Sequence, residues 1–117
     1  MIFADWVTRA AMRIWIMLML AGLLEVGWAV GMKYTDGFRL FGPSVLTVSA
    51  MIGSMGLLGV CIRSLPLGTA YAVWTGIGVV GTTVFGMAVL GESMSWIRIT
   101  CLVLIATGIV GLHLFQM

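Results

Sequence analysis

Four apolar runs, each about as long as a membrane crossing and separated by short polar turns, occupy nearly the whole chain. A helix needs roughly 20 apolar residues to cross about 30 Å of hydrocarbon. The pattern therefore predicts an all-α membrane protein of four transmembrane helices, at about 14–32, 43–62, 67–90 and 96–115. With 62% hydrophobic and 9% charged residues among 117, the chain is far from the soluble norm of about 25% charged. A soluble domain this small needs a polar exterior, because it has much surface for its volume. The four crossings leave no length for a separate soluble domain, so residues 1–117 read as one transmembrane unit.

The turns carry recognisable breakers. Lys33, Tyr34, Thr35, Asp36 and Gly37 stop the first run; Gly42 and Pro43 open the second; Arg63, Ser64, Leu65 and Pro66 separate the second from the third. The third run is longer than a perpendicular crossing requires and carries Gly76, Gly78, Gly81 and Gly86, so a tilt or bend is expected. Gly91 to Ser95 form the last turn, which puts both termini on one side. Residues 1–13 do not look like a signal peptide and read as an N-terminal extension, with Met12 as good an initiator as Met1. Basic residues normally mark the cytoplasmic face. Here Arg9, Arg13 and Arg63 fall on one side and Lys33, Arg39 and Arg98 on the other, so the two faces balance. Scattered at helix ends, these residues form no basic face for nucleic acid.

One residue breaks the apolar pattern at depth. Glu25 lies mid-run in Ala-Gly-Leu-Leu-Glu-Val-Gly-Trp-Ala-Val, where a carboxylate is costly and no buried Lys or Arg is available to pair with it. On a helix its neighbours are Ala21, Gly22, Trp28 and Ala29, three small residues and an indole. They form either a cavity wall beside the carboxylate or a close helix contact over Gly22 and Ala29. The third run adds Tyr71, Trp74 and Thr75 at i, i+3 and i+4. An interfacial aromatic belt is one reading; the other is that the hydroxyl and indole N–H find the carboxylate as their partner. Ser54, flanked by Gly53 and Gly56, is a weaker polar signal in the second run.

Enzyme chemistry finds no support. No Ser/His/Asp set or metal-ligand cluster is present, and Lys33 lacks a phosphate-binding glycine loop, so neither a cofactor, a metal nor ATP is expected. Cys61 and Cys101 read as packing residues and His113 as an interfacial side chain. A lone membrane carboxylate points instead to proton chemistry. As an anion in hydrocarbon it requires a proton or a cation to neutralise it, and competition for one carboxylate couples their movements. The rival reading is a non-transporting subunit whose Glu25 joins helices within a larger complex.

These residues resemble those of the small multidrug resistance transporters. The likeness rests on Ala-Gly-x-x-Glu-Val-x-Trp at Ala21–Trp28, on Lys33-Tyr34-Thr35-Asp36-Gly37-Phe38, on Pro43-Ser44, and on the stretch from Leu65 to Gly78. It departs from the family at Gly27, usually larger, and in the long N-terminus. The resemblance implies an antiparallel dimer in the bacterial cytoplasmic membrane that exchanges protons for small organic cations. It implies Glu25 as the carboxylate shared by proton and substrate. Gly22, Trp28, Ser54, Tyr71 and Trp74 would line the pocket, and Gly76 with Gly78 would form a hinge in the third helix. Trp28 and Thr75 are similar to the guanidinium-exporter subtype, whose planar substrate suits a bidentate carboxylate and indole faces. Quaternary ammonium or other lipophilic cations are the alternative substrates, and pairing with a different family member is the alternative to a homodimer. Two oppositely oriented copies would supply the inverted repeat that larger transporters carry in one chain.

Overall fold

The computed structural model describes the backbone of residues 2–115 and the side chains of residues 11–115. Met1 and the Arg9 side chain, used above for the start site and the charge balance, lie outside the described residues. Four helices account for the fold, with no strand among the described residues: α1 (Ile2–Lys33), α2 (Phe41–Cys61), α3 (Leu67–Ala88) and α4 (Trp96–Leu114). Each contains a stretch long and apolar enough to cross a membrane, in α1 the part Ala11–Lys33. The helix thus begins well before the first apolar run, because the polar residues ahead of Ile14 include no helix breaker.

Chemistry fixes the helix ends. Pro43 sits in the first turn of α2, where a missing N–H removes no intrahelical bond. Pro66 precedes α3 with an extended ψ of 139°. Ser95 caps α4 by accepting from the Arg98 N–H at 3.1 Å. Between α1 and α2, three successive residues have positive φ: Asp36 at 52°, Gly37 at 68° and Phe38 at 64°. The left-handed region is unfavourable for a bulky side chain such as Phe38. Buried Thr35 holds this turn. Its hydroxyl donates to Met32 O at 2.9 Å and accepts from Phe38 N–H at 3.2 Å, while its carbonyl accepts from Arg39 and Leu40.

α1 is the centre of the packing, against both α2 and α3. Its seam with α2 is antiparallel. The Cys61 thiol donates to Ile14 O at 3.6 Å, the Ser54 hydroxyl donates to Ala21 O at 2.6 Å, Gly53 faces Leu24, and Thr47 faces Gly31. Its seam with α3 is parallel and runs over glycines. A Cβ on Gly22 would fall 2.7 Å from Ile77 Cγ2, and one on Gly81 would collide with Val26. Bare glycine surface lets the backbones approach, which is how helices associate where no hydrophobic force separates them from lipid.

α4 packs its backbone against α3 alone and buries no residue. It meets α3 where Gly76 receives the Ile105 and Ile109 side chains, and it touches α1 through an edge-on ring contact of Trp15 and His113, 4.5 Å between centroids. The α3–α4 turn is tied by an Arg98–Glu92 pair at 3.3 Å and by Arg98 donating to Ser93 O at 2.8 Å. The described residues span 53 × 37 × 20 Å, a slab about two helices thick.

Candidate functional site

Glu25 lies within the membrane-crossing part of α1, half buried, on the face turned to α3. Its carboxyl group rests on the backbone of Gly78: a Cβ there would fall 2.5 Å from Glu25 Cδ and 2.6 Å from Oε2. Oε2 is buried and has no hydrogen-bond partner. A buried polar atom left unpaired costs on the order of 2–7 kcal/mol, and a charge costs more. The arrangement is therefore incomplete as it stands, and it invites a proton, a water or a cationic donor.

One turn away lies a closed network. Fully buried Ser54 on α2 donates its only hydrogen to Ala21 O at 2.6 Å and accepts from the Trp74 indole N–H of α3 at 2.9 Å. Three helices meet in one hydroxyl. This corrects one sequence expectation. The Trp74 N–H is spent on Ser54 and not on the carboxylate, because α2 brings the hydroxyl to the buried indole edge. Ser54 in turn has no hydrogen left for a ligand and offers only a lone pair.

The remaining residues divide. Trp28 packs against the buried cluster around Leu18, Ala21 and Trp74, and its indole nitrogen is buried without a partner. Tyr71 stacks obliquely on Trp74 with centroids 5.5 Å apart, keeps 53% of its surface open, and its hydroxyl reaches no partner among the described residues. It does not meet Glu25 within one chain. The Thr75 hydroxyl donates back to Tyr71 O at 2.7 Å, a bond internal to α3. Gly22 is a packing contact with Ile77, and Ile77 also lies beside Ala21's buried cluster. Gly76 and Gly78 both sit inside the continuous helix α3, one against α4 and the other against Glu25. The contact of Gly78 with the carboxylate was not foreseen as such; the only signal was a dense run of glycines at the level of a charged residue.

A family profile for Small Multidrug Resistance protein matches residues 13–105, which includes every residue of this site. The chain belongs to the small multidrug resistance family. Family membership agrees with the likeness noted at Ala21–Trp28 and Leu65–Gly78. The chain is 60% identical over 100 residues to a guanidinium exporter of Escherichia coli (strain K12), covering 86% of this chain and 95% of that one. It is 57% identical over 100 residues to a guanidinium exporter of Proteus vulgaris, covering 86% and 96%. A guanidinium exporter of Salmonella typhimurium is 56% identical over the same length, covering 86% and 95%. With four membrane-crossing helices, this small multidrug resistance protein is a multi-pass protein of the bacterial inner membrane. Its relatives are named as transporters and not as enzymes.

Proposed function

We propose that this protein exports guanidinium or small guanidinyl cations in exchange for protons, as an antiparallel dimer in which Glu25 binds proton and substrate in turn. The observation that carries the reading is the Glu25 carboxylate, held against bare Gly78 backbone inside a membrane helix with Oε2 unpaired. The 60% identity to a protein named guanidinium exporter supports the substrate. A planar guanidinium presents parallel N–H donors to two carboxylate oxygens, a charge-assisted geometry that a spherical cation cannot match. Trp28 and the open ring of Tyr71 supply aromatic faces for the plane of the cation.

Glu25 keeps part of its surface open in the single chain. A second copy of opposite orientation would cover that face and build the inverted repeat that alternating access uses. Gly76 and Gly78 give α3 its two thinnest cross-sections beside the site and are the proposed hinge. Protonation of Glu25 fills the lone pair that guanidinium needs and removes the charge that attracts it. Affinity for the cation therefore falls as pH falls, by up to about tenfold per pH unit for one displaced proton. Each binding event at acid pH must release a proton.

Calorimetry in buffers of different ionisation enthalpy tests this. The native protein is expected to release protons on binding guanidinium, and Glu25→Gln, which keeps the shape and loses the titratable charge, is expected to bind nothing and release nothing. Retained pH-dependent binding by Glu25→Gln would overturn the mechanism. Tetramethylammonium transported as fast as guanidinium in proteoliposomes would replace the substrate reading by the broader one of quaternary ammonium export, since a site built around N–H donors loses its pairing with a methylated cation.

A further inference from the structure

The α3–α4 turn, which reads in the sequence only as a polar break, is a built structure. Gly91 turns the chain with φ at 71°, and Glu92 folds back onto the end of α3. Its N–H donates to Gly86 O at 3.0 Å, beside that of Leu90 at 3.1 Å. Its carboxylate lies on the bare backbone of buried Gly86, where a Cβ would fall 2.6 Å from Glu92 Cδ. From α4, the Arg98 guanidinium closes the clasp, reaching Glu92 Oε1 at 3.3 Å and donating to Ser93 O at 2.8 Å. The Arg98 backbone N–H is itself held by Ser95 Oγ at 3.1 Å. A half-exposed ion pair contributes little alone. Here it is tied to backbone bonds at the ends of both helices, which fix its geometry.

The place of this clasp along α3 gives it a second use. From the clasp α4 runs back along α3, where Ile105 and Ile109 enter the notch at Gly76, and it ends at the edge-on contact of His113 with Trp15 of α1. Gly76 and Gly86 stand about 15 Å apart along the helix. The proposed hinge at Gly76 and Gly78 therefore lies between the two ends of α4, and α4 splints it. Bending α3 at the hinge changes the distance between those ends, so one attachment must slip. Apolar contacts are non-directional and tolerate sliding. Hydrogen bonds weaken steeply once their alignment is lost. The clasp is the fixed end, and the ring contact of His113 and Trp15 is the end that slides.

We propose that Glu92 and Arg98 are positioning residues for transport. Seated on Gly86, they join residues 79–88 of α3 to the start of α4 as one rigid arm, so that bending at Gly76 and Gly78 carries α4 with it and slides His113 past Trp15. The inference rests on the reading of those two glycines as the hinge of a transporter.

Spin labels test it in proteoliposomes, in the full chain with Cys61→Ala and Cys101→Ala, with labelled chains diluted into unlabelled ones so that only distances within one chain are read. Labels at Val84→Cys and Thr100→Cys, both exposed positions, span the arm; labels at Ile16→Cys and Val110→Cys, also exposed, span the sliding end. The arm pair should give one narrow distance and the sliding pair a broad or two-peaked distribution. Equal widths would overturn the arm. Gly86→Ala, whose methyl displaces the carboxylate, should broaden the arm distance and slow guanidinium transport at least threefold, while equilibrium guanidinium affinity stays within twofold. Should that variant fold poorly, Arg98→Gln is expected to do the same, and adding Glu92→Gln to it should slow transport no further, because the two residues act as a unit. A broadened arm with an unchanged transport rate would make the clasp a structural cap and overturn the proposal. A narrow arm in a chain that carries no guanidinium would strike the function reading and leave the arm standing, whereas transport with an equally mobile arm would strike the arm alone.

Discussion

Ser54 holds more of this structure together than its size suggests, since its hydroxyl is bonded to both α1 and α3. Ser54→Ala removes both bonds and leaves the Trp74 N–H buried without a partner. A loss of about 1–3 kcal/mol is expected, measured as unfolding in mild detergent, with Trp74→Phe losing less because it removes the stranded donor as well. Gly78→Ala should act differently. Its Cβ meets the far end of a flexible side chain, Glu25 Cδ at 2.5 Å, so the helix survives and the carboxylate moves. Guanidinium affinity should drop at least tenfold with little change in melting temperature; the reverse pattern would make Gly78 a packing residue only. At this scale the sequence made Glu25 legible, because a lone carboxylate in an apolar run has few explanations. It did not make the pairing of Trp74 legible, because a donor's partner depends on which helix reaches it first.

The helices were legible from hydropathy alone, because in a membrane every backbone group must be satisfied within its own segment. Two features were not. α1 continues to Ile2, since no breaker separates its polar start from the apolar run. The partition of the glycines was also hidden: Gly22 faces Ile77, while Gly27, one and a half turns on, has nothing within 4 Å. The same substitution should therefore have opposite signs at these two sites. Gly22→Ala drives a methyl against the β-branched Ile77, whose Cβ at 2.8 Å cannot swing away, and should cost about 1–3 kcal/mol. Gly27→Ala meets open space and should be neutral or gain up to about 1 kcal/mol from helix propensity. Chemical denaturation of the two variants side by side checks the contrast.

For the molecule as a whole, the described residues form a layer 20 Å thick in which α4 buries no residue, so most of its apolar surface is left to lipid or to the second copy proposed above. The equal division of basic residues, three on each side, predicts insertion in both orientations. A C-terminal fluorescent protein, active only in the cytoplasm, and a C-terminal phosphatase, active only outside it, should both give signal when fused separately to this chain. Signal from the same single fusion in every case, with no second family member expressed, would favour an obligate heterodimer. This property could be counted from the sequence, but the surface that uses it could not.

The Ser54 junction also has a history in time. During synthesis α1 enters the bilayer first, and a carboxylate there costs insertion a few kcal/mol. When α2 follows, the antiparallel seam from Ile14–Cys61 to Gly31–Thr47 can form at once, with Ser54 bonded to Ala21 O. The lone pair facing Trp74 waits until α3 leaves the ribosome. A nascent chain stalled after residue 66 would thus already be a hairpin with half of its junction made, and the arrival of α3 would bring Gly78 beneath a carboxylate that the membrane had accepted before its site existed.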